Sequence, residues 1–222
     1  MRHRHQTRPS RAFLLGALAS VALWLPAAAE AQGLHAGITI SDLSGVDGLE
    51  PRRGLVLGAS LSFLRIGLVS ITPEILYIQK GARRETPSAE NGIEDVRLDY
   101  VEVPILARVG GFIRGTAIQP AVYAGGYFAF EIGCSVGFDD GERSSGCNFA
   151  ALQELGVDGA LDESDAGWII GGAIEFYLPA IGGLSLDARY SSSFAPITRE
   201  GSIDEPKHQT ITIMLGWNPS LP

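Results

Sequence analysis

The sequence predicts an all-β fold: eight antiparallel strands in up-and-down order, closed into a barrel. Three observations predict it. Apolar residues recur at every second position through most of eight separate segments, glycine is abundant at 28 residues, and the connections alternate long and short. A strand sends successive side chains to opposite faces, so strict alternation separates two different environments.

The first strand is read in GLHAGITIS (33–41), with Ala36, Ile38 and Ile40 on one face and His35, Thr39 and Ser41 on the other. In GLVLGASLSF (54–63), Leu55, Leu57, Ala59, Leu61 and Phe63 oppose Val56, Gly58, Ser60 and Ser62. The third, VSITPEILYIQ (69–79), sets Val69, Ile71, Ile75 and Tyr77 against Ser70, Thr72 and Glu74. LDYVEVPILARV (98–109) carries Val101, Val103, Ile105, Ala107 and Val109 opposite Tyr100, Glu102, Pro104, Leu106 and Arg108. IQPAVYAGGYFAFE (118–131) and WIIGGAIEFY (168–177) are less clean, because glycine or apolar residues occupy both faces. Strand glycines of that kind mark bends or close approach. LSLDARYSS (184–192) and QTITIMLGW (209–217) restore the alternation, with Leu184, Leu186, Ala188 and Tyr190 on one strand and Ile211, Ile213, Leu215 and Trp217 on the next.

Between these segments the connections run about 12, 5, 16, 8, 35, 6 and 17 residues. Every long connection therefore falls at one end. A transmembrane barrel of bacterial type has an even strand number, short periplasmic turns and long external loops. The expected architecture is an eight-stranded transmembrane β-barrel with an apolar outer face, and Phe63, Tyr77, Tyr190 and Trp217 near strand ends as its aromatic girdles.

The N-terminus fits export. Arg2, Arg4, Arg8 and Arg11 precede the apolar stretch 12–26, and Ala29-Glu30-Ala31 supplies a small-residue cleavage site. Residues 1–31 are expected to be a signal peptide, cleaved near Ala31, and 32–222 the barrel domain. Removing four arginines and Glu30 leaves 13 basic and 24 acidic residues, a net charge of −11. An acidic exported chain has no electrostatic footprint for nucleic acid. After the signal, no apolar run is long enough for a membrane helix. Cys134 and Cys147, the two cysteines, read as a disulfide of an oxidising compartment.

Opposite the apolar faces lie Glu74, Glu102, Arg108, Glu175, Asp187 and Arg189. Inside a barrel these must pair with one another or with water. Arg108 or Arg189 is the expected partner of Glu74 and Glu102. The plainer reading is the solvated face of an ordinary sheet.

Two stretches go beyond periodicity. ITPEILYIQKGA (71–82) and LDYVEVPILARV (98–109) resemble the PorT-type outer-membrane β-barrel family, on Pro73, Glu74, Tyr77, Lys80 and Gly81, then Tyr100, Glu102 and Pro104. GLHAGITIS and VYAGGYFAFEIG look like that family's first strand and Ala-Gly strand, so the resemblance spans most of 33–217. It implies an outer-membrane barrel and names no function. At the C-terminus, Trp217 stands where such barrels end on an aromatic residue, but Asn-Pro-Ser-Leu-Pro follows it.

No residue set meets the requirements of catalysis. His35 and His208 lie on the first and last strands, which a closed barrel makes neighbours, so the two are placed on adjacent strands. A serine such as Ser41 or Ser62 would still need an orienting carboxylate and an oxyanion site. Glu74 and Glu102 lack the open cleft a glycosidase requires. In the long connection 132–166, Asp139, Asp140, Glu142, Glu154, Asp158, Asp162, Glu163 and Asp165 lack the alternate spacing of a calcium loop. No enzyme, metal or cofactor is expected. The expected role is structural, adhesive or as an envelope or secretion accessory, in a monomer whose surroundings are outer-membrane lipid. Two alternatives remain: a soluble periplasmic barrel binding an apolar ligand as lipocalins do, and a small-solute pore.

Overall fold

Period-two patterning becomes ten strands in the computed structural model, which describes residues 32–45, 48–61, 64–84, 93–110, 118–138, 143–147, 163–178, 181–196 and 207–219. They are β1 (Gln32–Ser44), β2 (Leu49–Leu61), β3 (Leu64–Ile66), β4 (Val69–Arg84), β5 (Ile93–Gly110), β6 (Ile118–Phe138), β7 (Arg143–Ser145), β8 (Ser164–Leu178), β9 (Gly182–Ser193) and β10 (Lys207–Asn218). The expected signal segment, Phe63, Ser62 and most of the acidic connection lie outside the described residues.

Eight long strands make the wall in the order β1-β2-β4-β5-β6-β8-β9-β10, each antiparallel to the next. Pairing of Leu34 with Trp217 through Ser44 with Lys207 joins β1 to β10 and closes it. β3 extends the hairpin into β4, and β7 folds back on β6. Closure leaves the eight-stranded wall no open edge, which lipid demands because it offers no hydrogen bonds to free backbone groups.

The two faces have opposite chemistry. Leu55, Leu57, Ile75, Ile105, Ile211, Ile213 and Leu215 are between 41 and 67 % exposed on the outside, while Thr210, Thr212, Glu74, Asp187 and Arg189 are buried within. That polarity is inverted relative to a lipocalin, whose apolar face would line the interior. The ambiguous segments resolve on β6 and β8. Tyr123 and Tyr127 point inward, and a Cβ at Gly171 or Gly167 would collide with their rings. Glycine is thus required on β8 by the bulk of the β6 tyrosines beside it.

Strands run further than the alternation implied. β1 and β2 are joined by 45–48, and β4 and β5 by 85–92, in place of connections of about 12 and 16 residues. The ladders continue through polar residues, with Ser41 opposite Arg52, Leu49 opposite Arg84 and Arg83 opposite Asp95. A ladder that has left the lipid needs no apolar face, so alternation stops before pairing does. The longest connections, 139–163 and 194–206, share this end of the barrel; 67–68, 111–117 and 179–181 lie at the other, with the ends of β1 and β10.

Beyond the apolar belt a small second core forms from Leu43, Ala82, Val96 and Val136, against which Leu49, Phe138, Cys134 and Cys147 pack. The Cys134–Cys147 disulfide is present, with Cα atoms 5.6 Å apart, and the Gly146 N–H donates to the Cys134 carbonyl at 2.7 Å. It ties β7 and its exit to β6.

Outer aromatics sit toward both ends. Trp217, Leu184 and Phe176 form one outward row across β10, β9 and β8, and the Trp217 indole donates to the Ile181 carbonyl at 2.9 Å. Higher up, Trp168 and Tyr190 pack with ring centroids 5.4 Å apart. Such rings suit the membrane–water interface. Replacing the lipid-facing Ile213 by Arg should lower folding stability by about 2–4 kcal/mol in bilayers. Urea unfolding titrations in phospholipid vesicles measure it, with Ile211→Val as the near-neutral comparison.

The lumen as candidate functional site

Two charged clusters are stacked along the interior. Nearer the chain ends, the Arg189 guanidinium donates to Glu74 at 2.7 Å and to Asp187 at 3.0 Å. The Tyr123 hydroxyl donates to Asp187 at 2.7 Å. Arg108 pairs with Glu175, and both guanidiniums lie over the Tyr123 ring, 5.3 Å away for Arg189 and 5.8 Å for Arg108. His35 and Ser60 share a hydrogen bond of 2.8 Å between β1 and β2 at the same end.

The second cluster lies toward the loop end. Lys80 is buried between Glu102, at 2.7 Å, and Asp165, at 3.5 Å. Its ammonium stands 4.3 Å from the centroid of Tyr127, whose hydroxyl donates to Asp165 at 3.0 Å and contacts Ser193 at 3.2 Å. Tyr100 meets the His208 ring edge-on, with centroids 5.7 Å apart. Closer to the outer end again, Arg52 pairs with Asp95 at 2.5 Å. Leu76 and Ile78 on β4 lie between Glu74 and Lys80, and with Val56, Ile169 and Met214 they fill the interior as one packed core.

Each sequence-derived site residue can be placed. Glu74, Arg189 and Asp187 come together; Arg108 and Glu175 make their own pair across β5 and β8. Glu102 departs from expectation, because its cation is Lys80 and neither arginine. Asp165 also departs: expected in the external acidic connection, it is the second residue of β8 and points inward. The two histidines do not meet. His35 is opposite Gly216 and His208 opposite Leu43, at the two ends of the β1–β10 ladder. Of the motif residues, Tyr100 and Pro104 share the inward face of β5 with Glu102. Tyr77 faces outward and donates to Asp99 at 3.0 Å. Pro73 stands next to Glu74, the first β4 residue paired with β2. Gly81 occupies a ladder irregularity with φ near 138°.

Lys80, Tyr123, Tyr127, Asp165 and Ser193 were missed as lumen residues. Lys80 carried a usable signal, since Leu76, Ile78 and Lys80 continue the inward period of Glu74. Asp165 carried none, because its partner lies on a strand that chain order does not place beside it.

A closed wall of this kind, apolar outside and ion-paired inside, defines a barrel of outer-membrane type. The chain belongs to the family described as outer membrane protein beta-barrel domain, which matches residues 31–199. No curated protein matches it. Similar solved structures include Ail, the attachment invasion locus protein of Yersinia pestis, at 14 % identity over 85 % of this chain and 99 % of that one, with TM-score 0.41. OprG of Pseudomonas aeruginosa has 10 % identity over 86 % and 96 %, TM-score 0.46. The outer membrane enzyme PagL has 12 % identity over 83 % and 98 %, TM-score 0.41. At these identities none of them lends this chain an activity.

Lys80→Met leaves two carboxylates facing each other in a buried site, and losing one partner of a buried ion pair costs about 3–5 kcal/mol. The triple replacement K80M/E102Q/D165N should recover most of that loss in the same urea titration. Equal stability of the single variant and the wild type would contradict the assignment of Lys80 as the pairing cation.

Proposed function

We propose that this outer-membrane barrel is sealed and non-conducting, and that it works through its loop end in a structural, adhesive or envelope-accessory role. The observation that carries the reading is the lumen itself. Leu76, Ile78, Leu106, Ile169 and Met214 are at most 2 % exposed, as are Tyr100 and Tyr127 beside the paired charges. Eight strands enclose an interior just wide enough for side chains to fill or for one small ligand. Further support comes from the second core and the disulfide, which stiffen the hairpins rising beyond the lipid belt. Rigid projections suit contact with partners more than passage of solutes.

Finer parts of the proposal follow from the sequence. Residues 1–31 act as a signal peptide removed near Ala31, the mature chain is a monomer, and its affiliation is PorT-type on Pro73, Tyr77, Gly81, Tyr100 and Pro104. N-terminal sequencing of the exported protein should begin at Gln32.

The direct test of the role is electrical. Purified protein, shown folded by a boiling-dependent shift in gel mobility, should give no discrete conductance steps in planar bilayers. Removing the Lys80 cluster's charges should leave the bilayer silent, because the apolar layer beneath persists. Stepwise currents from the wild type would overturn the sealed-barrel reading and favour a small-solute pore.

A further inference from the structure

The outer wall carries a break at the level where apolar residues give way to polar ones. On β2, Leu55 and Leu57 face lipid, and the next outward residue toward the loop end is Arg53. Pairing between β2 and β4 is regular from Ser60–Glu74 to Val56–Ile78 and again at Pro51–Ala82, and shifts between. There β2 residues 52–55 face the shorter β4 run 79–81. Side chains close the backbone groups this leaves. Ser41 accepts from the Gly81 N–H at 2.9 Å and donates to its carbonyl at 3.0 Å, and Thr39 donates to the Gln79 carbonyl at 2.7 Å. The Gln79 side chain accepts from the Leu55 N–H at 3.2 Å. A bulge of this sort re-aims side chains and bends the strand.

What it leaves outside includes two arginines. Gly81 is opposite Arg97 on β5 and beside the Arg53 segment on β2, so the two arginines flank a residue with no side chain. Three adjacent strands at about 4.8 Å spacing put their Cα atoms about 10 Å apart, within reach of two long side chains converging on one ligand. Any side chain at Gly81 would strike the Val96 carbonyl. Arg53 is exposed and has no ion-pair partner among the described residues. Arg97 has an ion contact with Asp99 at 3.4 Å, and its Nε has no hydrogen-bond partner among the described residues. Asp99 is shared with Tyr77, and it interacts with Glu131 on β6, so both nearby carboxylates lie on the Arg97 side and Arg53 carries the uncompensated charge. Tyr77 faces outward four residues below Gly81, opposite Leu57, and tyrosine marks headgroup depth.

We propose that Arg53 and Arg97, across the Gly81 notch, bind the phosphate of an anionic lipid headgroup in the outer leaflet. Guanidinium matches phosphate in planar, two-point geometry, and the exposed Leu55 and Leu57 lie where the acyl chains of that lipid would run. The assignment rests on the loop end facing outward, as in barrels of this type.

Wild type and R53Q/R97Q are compared in neutral detergent micelles, with the boiling shift as the check of folding. The probes are phosphatidic acid and diacylglycerol, read by native mass spectrometry. Wild type should retain phosphatidic acid at least ten-fold better than diacylglycerol, R53Q/R97Q should lose that preference, and K207Q should keep it. R53Q alone, at an exposed position, should lose about half of the preference on a logarithmic scale even if the double variant does not fold. Equal retention of both lipids by wild type, or an unchanged preference in R53Q, overturns the site. Full displacement by millimolar inorganic phosphate overturns the lipid source and leaves a free-phosphate site. The sealed-barrel reading, tested by conductance, stands or falls separately.

Discussion

Everything in this molecule follows from one requirement: in lipid, each backbone N–H and C=O must find its partner within the protein. A sheet meets it only by closing, and the Leu34–Trp217 to Ser44–Lys207 ladder performs the closure. Once closed, period two fixes the chemistry. Outward positions must be apolar, so the polar half of each strand has nowhere to go except inward. Charges in the lumen are therefore a consequence of the wall, and their mutual pairing is the condition on which the wall is stable.

The lumen meets that condition with pairs from strands distant in sequence. Arg189 and Glu74 are 115 positions apart and Lys80 and Asp165 are 85 apart. Each links strands that are not neighbours in the wall, so the registers of β4, β8 and β9 are checked against one another. Tyrosines extend the pairs: Tyr123 and Tyr127 supply an O–H to a carboxylate and a ring face to a cation in the same side chain. Glycines on the facing strand make room for those rings. The result is a filled interior in which charge clusters and an apolar layer are one packing problem.

The wall was legible in the sequence because β10 and β2 alternate without interruption, and alternation is local. Strand ends were less so. Beyond the lipid the ladder continues through Arg52, Arg83 and Asp95, whose residue types resemble loop. The partners within the lumen were harder still, since the stagger of a barrel decides which residue faces which across it. Arg189 with Glu74 required only the right choice between two arginines. Lys80 with Asp165 required knowing that β8 begins early, in what reads as acidic connection. The ladder break at Gly81 has no signature beyond the glycine itself.

The central claim is that polarity is inverted, with lipid outside and paired charge inside, and one spectroscopic series tests it most directly. Nitroxide labels on single cysteines introduced at positions 210–215 leave the native pair locked in its disulfide. In bilayers, labels at 211, 213 and 215 should collide readily with dissolved oxygen, and those at 210, 212 and 214 should be shielded from both oxygen and a water-soluble nickel chelate. Oxygen access with the opposite phase, or equal nickel access at all six positions, would contradict the account.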